Sequence, residues 1–382
     1  MRQLRFAWLL LLLIPFIPWI VWELQTSHGL GVLVVDKTVP DITRRGHSSF
    51  FWCLEHYRVL RPDGYYYNKM TDYYGYFPED STVSDPSSLG GLRPDLVYVT
   101  DLYGIYRSDQ DHPGKEVGSR LVYGGLEQRE LDAFRSYDSS GATMIAEFNS
   151  LDYPTTLRPE IDSMFQRMMD VRYDGWYGSF YQNLLDVPAW VRSMYTQFNR
   201  RPWRFSGSGV VLLNQGSLQK SKRGIIVLGK NDLLYPQLTV ESSSDPTLTG
   251  TSQSVPYFSR FELVQPDSGG DVIASYRLNV SYAGAAKLEQ AGWPRTFPAV
   301  ITNGARTHFY FAGDFAVNDA PGILKQLAFV QRFSQFAYTF DDASDQTRFF
   351  YQFYAPMIRN ILELTEKRDS DKASVQQLMR HN

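Results

Sequence analysis

Cysteine is all but absent: Cys53 is the only one in 382 residues. One thiol excludes an intramolecular disulfide, and its place inside the apolar helical pattern "SSFFWCLEHYRVL" marks it as a small buried hydrophobe. It also lacks the small-residue context of a lipoprotein signal. An excess of one charge is missing too. The formal net charge is −3, which gives no electrostatic case for a nucleic-acid partner. There is no internal repeat and no heptad array. "SGSGVVLL", Ser206 to Leu213, contains G-x-G but precedes a strand instead of following one, which is the wrong context for a dinucleotide fingerprint. The histidines and the single cysteine show no zinc-ligand spacing. No cofactor is therefore predicted, and the sequence leaves a metal site undetermined.

What the chain has in quantity is aromatic: 25 Tyr, 24 Phe and 8 Trp, together 15%. Such rings fill cores, and they also stack on sugars. Hydrophobic residues reach 43% against 21% charged, enough for a sizeable folded core.

Only one long apolar run is present, Phe6 to Trp22, uncharged and preceded by Arg2 and Arg5. About seventeen residues at 1.5 Å each reach about 25 Å, at the short end for spanning hydrocarbon. Trp19 and Trp22 at its exit are placed like interfacial anchors, and no A-x-A-like cleavage site follows. The expectation is a transmembrane signal-anchor over 6–23. Residues 1–5 would be cytoplasmic and the main domain extracytoplasmic, giving a single-pass protein of the cell membrane.

Behind it, "GVLVVDKTVPD", "RPDLVYVTDLYG" and "GATMIAEFNS" read as buried strands ending at Asp36, Asp101 and Glu147. "RRGHSSFFWCLEHYRVL" and "GGLEQRELDAFRSYDSSG" are helices between them. Strand and helix alternating over 30–158 predict a flavodoxin-like α/β domain, a parallel sheet with helices on both faces. From 159 to 366 the pattern turns β-rich, with an Asn303-Gly304 hairpin signal, an aromatic loop "DGWYGSFYQNL" and an amphipathic C-terminal helix. Residues 367–382 form a polar tail.

The run "RPDLVYVTD … GGLEQRELDAFRSYDSSGATMIAEF", followed later by "FPAVITNGARTHFYFAGDF", resembles the class I glutamine-amidotransferase-like superfamily, in particular its trehalose-utilisation-type branch. Catalytic amidotransferases of that fold carry a cysteine on a sharp strand-to-helix turn with an orienting histidine and acid. Here the strands end in Asp36, Asp101 and Glu147, and no position matches that turn. Neither glutaminase nor cysteine-peptidase chemistry is expected, and no catalytic residue is assigned.

In open α/β sheets ligands bind outside the carboxyl ends of the strands. Asp36, Asp101 and Glu147 stand there, Asn149 follows, and Asp314 succeeds "HFYFAG" in the same manner. Paired acids on such a rim suit a glycosidic bond or a hard cation, whereas acids singly bonded to backbone suit turn and helix capping. His47, in the first helix, is expected on the same rim. Arg44 and Arg45 at that helix's start are candidate anion ligands. Tyr73, Tyr74, Trp176 and Tyr177, in glycine-containing aromatic stretches, are candidate sugar-stacking residues. The sequence supports a non-catalytic binding or scaffold protein with a polysaccharide ligand, working in a membrane complex for polysaccharide assembly or export. A carbohydrate-active hydrolase using paired rim carboxylates is the alternative.

Overall fold

The computed structural model describes residues 16–107, 120–215, 224–318, 322–337 and 346–381. The three strands predicted to end in acids do so: β1 (Val32–Asp36), β3 (Leu96–Asp101) and β4 (Thr143–Glu147). They are β-branched and apolar because both faces are covered. With β2 (Tyr74–Phe77) they pair in parallel in the order β2-β1-β3-β4, the flavodoxin-like arrangement. The order reverses between β1 and β3. An irregularity in that pairing, after the Val35–Val99 match, makes Asp36 and Asp101 direct register partners.

Helix α2 (Arg45–His56) follows β1, and α3 (Gln128–Ser139) joins β3 to β4. The step from β1 to β2 and the step from β3 to β4 run in opposite directions, so right-handed connections put the two helices on opposite faces.

The sheet as a whole is mixed, and the flavodoxin-like description holds only for its centre. Late in the chain come β11 (Gly270–Val280), β12 (Thr296–Asn303) and β13 (His308–Phe311). β13 adds to β4 in parallel, which carries Asp314 to the same rim; β12 then pairs antiparallel with β13 through the predicted Asn303-Gly304 turn. β11, β8 (Leu233–Val240) and β9 (Ser254–Pro256) extend that flank to ten strands, with Thr82–Val83 at the far edge.

A second, antiparallel sheet consists of β5 (Val171–Tyr181), β6 (Gly209–Asn214), β7 (Gly224–Gly229) and β10 (Arg260–Pro266), in the order β7-β6-β5-β10. The stretch predicted as an aromatic loop is the inner strand β5. Every residue of β6 is buried. Val210 and Leu212 join the main core, while the alternate Val211 and Leu213 join a smaller one under α5 (Ala189–Asn199), as a period of two requires. β10 reaches the main sheet just past β13, where Glu262 N–H donates to the Ala312 carbonyl at 2.9 Å.

The predicted transmembrane helix is not supported. Among the described residues no helix is long and apolar enough to cross a membrane. Residues 6–15 of the predicted span, and the cytoplasmic segment 1–5, lie outside the described residues. The span's end is a seven-residue helix, α1 (Ile17–Glu23). Trp22, read as an interfacial anchor, is buried in the fold: its indole N–H donates to the His56 carbonyl at 2.9 Å and Arg58 lies 4.9 Å over the ring. An indole that already has an acceptor and a cation within the protein has no need of a bilayer interface. The signal-anchor assignment and the single-pass placement at a cell membrane are withdrawn with it. At the other end, α8 (Ala355–His381) continues through the polar tail.

Candidate functional site

The rim brings the predicted acids together and satisfies each of them internally. Asp36, fully buried, accepts from Thr38 N–H at 2.9 Å and lies 2.7 Å from His47 Nδ1. The other ring nitrogen of His47 is 3.0 Å from the Lys69 carbonyl, an acceptor only, so Nε2 carries a proton and the ring is locked between β1 and the loop before β2. Asp101 accepts from Thr38 Oγ1 at 2.6 Å, Tyr103 N–H at 2.7 Å and Asn149 Nδ2 at 3.0 Å. Burial and the neighbouring Asp36 carboxylate push its carboxyl up to about 7. Glu147, 1% exposed, accepts from Tyr98 Oη at 2.6 Å and from Ala316 N–H at 3.3 Å. Burial first, then Asp314, raises it well above the carboxylate range. Asp314 forms a two-pronged pair with Arg260, at 3.1 Å to Nε and 2.6 Å to the terminal nitrogen.

Sequence reasoning missed one member. Glu262 on β10 is 1% exposed and accepts from Asn149 N–H at 3.1 Å and from Tyr310 Oη. Burial pushes it up to about 8. In "FELVQP" it is one acid within an apolar strand, the same signal that singled out Glu147, but its strand belongs to the other sheet. Thr38 and Asn149 thus link Asp36, Asp101 and Glu262 into one hydrogen-bonded network joining the two sheets, with Glu147 and Asp314 bonded separately beside it. Among the described residues no group of His, Cys, Asp and Glu is arranged to hold a metal ion.

The predicted anion ligands are placed otherwise. Arg44 is 2% exposed, adopts φ 51°, and donates to both Glu79 oxygens, at 2.7 and 2.6 Å, so its charge is already answered. Arg45 is exposed as the first residue of α2. Tyr73 and Tyr74 are core residues: Tyr73 packs on His47 at 4.7 Å, and Tyr74 Oη donates to Glu130 at 2.8 Å.

Trp176 and Tyr177 lie on β5. Pairing of β5 with β10 shifts register between Tyr173 and Tyr177, and Gly175 there has φ 89°. Such a bulge re-aims the side chains it carries. Tyr177 is half-buried, edge-on to Phe148 at 6.5 Å. Trp176 lines a half-open cleft of about 900 Å³ between β7, α5 and the segment after α6 (Tyr282–Gln290). Trp293, half-buried, packs edge-on against that indole in the same lining, its ring 5.4 Å from Trp176 at 62°. Tyr195, Phe198 and Phe205 complete an aromatic wall, and Asn199, Gln265 and Gln290 bring amides to it. Gly224 makes this possible, because a Cβ there would stand 2.6 Å from the Trp176 ring. Trp293 was not singled out from the sequence. It follows a helix in "AGWPRTF", and only the fold brings it against Trp176.

No protein-family model matches the chain, and no curated protein matches it. Among solved structures it is similar to a ThuA-like protein from Bacteroides uniformis ATCC 8492 (TM-score 0.39, 10% identity, 89% of this chain and 91% of that one). It is likewise similar to a ThuA-like protein from Parabacteroides merdae ATCC 43184 (TM-score 0.34, 11% identity, 75% and 78%). A protein assigned as a GMP synthase component from Thermoplasma acidophilum gives TM-score 0.35 and 9% identity over 91% and 99%. At these scores the likenesses carry no conclusion about chemistry.

Proposed function

We propose that this chain is a non-catalytic carbohydrate-binding protein whose ligand seats in the Trp176–Trp293 cleft. The observation that carries the reading is the cleft itself, about 900 Å³, aromatic-walled and edged by amides. Its size is that of a ligand site. Aromatic faces take the CH face of a sugar, and amide side chains, which donate and accept, match its hydroxyls. The rim does not compete for this role, since Asp36, Glu147 and Asp314 are buried and bonded. Membership of the trehalose-utilisation branch and a part in polysaccharide handling belong to this same reading, and neither depends on a membrane anchor.

The test is titration of the full chain with a panel of neutral and acidic oligosaccharides, followed by tryptophan fluorescence and calorimetry, with Trp293→Ala and Glu147→Gln alongside. We expect Trp293→Ala to weaken binding at least about tenfold, the effect of losing one stacking platform, and Glu147→Gln to leave it unchanged. Binding that survives Trp293→Ala but not Glu147→Gln would return the site to the rim.

One observation favours a second reading, hydrolysis of a glycosidic bond. Asp101 is partly exposed and held at about 7, where a carboxylic acid can donate a proton near neutrality. Release of reducing sugar by the wild type and its loss in Asp101→Asn would establish it.

A further inference from the structure

The cleft wall holds a cation that no described residue engages. Its charged lining residues are Asp174, Arg201 and Lys287. Lys287 is committed: Nζ pairs with Asp232 at 2.6 Å and reaches the Val227 carbonyl at 3.4 Å. Asp174 belongs to the bulge, where its carbonyl accepts from Asn214 Nδ2 at 2.9 Å. Arg201, in contrast, is exposed and makes no hydrogen bond or ion pair with any described residue. Its position follows from the local sequence "NRRPWRF". α5 ends with Arg200 at φ 51°, and Pro202 forbids a further helical turn. The chain therefore bends at Arg201 and runs on to Phe205, which lines the same cleft.

We infer that the ligand of this cleft is an acidic saccharide, one bearing a carboxylate or another oxyanion substituent, and that Arg201 receives that group while Trp293 carries the ring. This rests on the saccharide-binding reading above and gives it a substrate class. A guanidinium presents a planar fork that takes two oxygens of an oxyanion at once, and it sheds water more readily than an ammonium. A neutral sugar would leave that fork solvated. The two indoles cross at 62°, with Trp176 only 8% exposed, so they do not form the parallel slot a planar nucleobase would fill. One indole face and one cation lining the same cleft fit a pyranose ring carrying an acid.

The experiment uses the full chain with trigalacturonate, its methyl ester and a sulfated neutral trisaccharide, each titrated at low and high salt. The acid, the sulfate or both should bind about tenfold more tightly than the ester at low salt, as a charge-assisted hydrogen bond provides, and the margin should shrink as salt rises. The tighter of the two anions identifies the substituent. Arg201→Gln should bring the ratio of anion to ester affinity to about one. Equal affinities in the wild type, or a preference that persists in Arg201→Gln, would overturn the inference. If ester and acid bind equally and Trp293→Ala weakens both, the saccharide reading stands and only the acidic specificity falls. If no saccharide binds, both fall together.

Discussion

Asn149 Nδ2 donates to Asp101 Oδ2 at 3.0 Å across the rim of the main sheet. The same residue's backbone N–H donates to Glu262 on the second sheet at 3.1 Å, and its φ of 68° is what lets one residue serve both. A left-handed conformation is tolerated by asparagine and glycine better than by other residues. Asn149→Ala should therefore lose both a hydrogen bond and a tolerant backbone, costing about 2 kcal/mol. Asn149→Gly should lose only the side-chain bond and cost about 1 kcal/mol less than alanine. Urea unfolding of the three proteins measures this. Equal losses for alanine and glycine would show that φ at this position carries no strain.

Glu262 gives the network a pH dependence of definite sign. Its carboxyl rises from 4.5 to about 8 on folding, and that of Asp101 from 3.8 to about 7, both chiefly through burial. Over that interval the folded protein holds protons that the unfolded chain has released. The contribution is fully present below the unfolded values and is lost as pH rises through the folded ones, at up to about 1.4 kcal/mol per pH unit for each group. Glu147, also raised, acts in the same direction. The urea midpoint should fall between about pH 4 and about pH 8 and level off above that, and Glu262→Gln, which stays neutral, should flatten that fall. A slope identical to wild type in Glu262→Gln would remove Glu262 from the account.

The parallel centre of the fold was legible because strands covered on both faces must be continuous apolar runs. Each such run ends where the chain meets a polar rim, so Asp36, Asp101 and Glu147 marked the strand ends themselves. The role of those acids was not legible. Whether a carboxylate is exposed to ligand or consumed by Tyr98, Thr38 or Arg260 depends on residues far away in the chain. Trp176 was singled out as a stacking residue from its glycine-rich context. The bulge that turns it depends on pairing between β5 and β10, and its contact with Trp293 on a segment far along the chain, neither of which a local pattern encodes. The apolar run at the N-terminus was read by hydropathy alone, which cannot see that Trp22 has a partner in the His56 carbonyl.

Beside the rim, Lys37 and Glu130 form an ion pair at 2.5 Å, each 1% exposed, with Lys37 also donating to the Gly125 carbonyl at 2.8 Å. Burial lowers the ammonium's pKa although Glu130 opposes the shift. Removing one partner leaves a buried charge unanswered, so Lys37→Met should cost about 3–5 kcal/mol. Glu130→Gln added to it should recover part of that loss, since the neutral amide leaves no charge unanswered and its single oxygen can still accept from Glu127 N–H. A double-mutant cycle on unfolding free energy measures the coupling. Additive losses would mean that the two charges do not depend on each other.

The cleft makes its own demand on Gly224. A methyl group at this position would lie 2.6 Å from Cη2 and 2.9 Å from Cζ2 of Trp176, inside any permitted contact. Since Trp176 is 8% exposed and packed edge-on to Trp293, the indole can yield only by displacing its neighbour or by turning out of the wall. Gly224→Ala should accordingly destabilise the protein by about 1–3 kcal/mol, the usual cost of overpacking. It should also shift the tryptophan emission to the red as an indole gains water. Trp176→Phe combined with Gly224→Ala should recover stability, because a smaller ring leaves room for the methyl group, and should bind saccharide as the wild type does, since Trp293 carries the ring. If the double variant regains stability but binds weakly, Trp176 is itself part of the stacking surface.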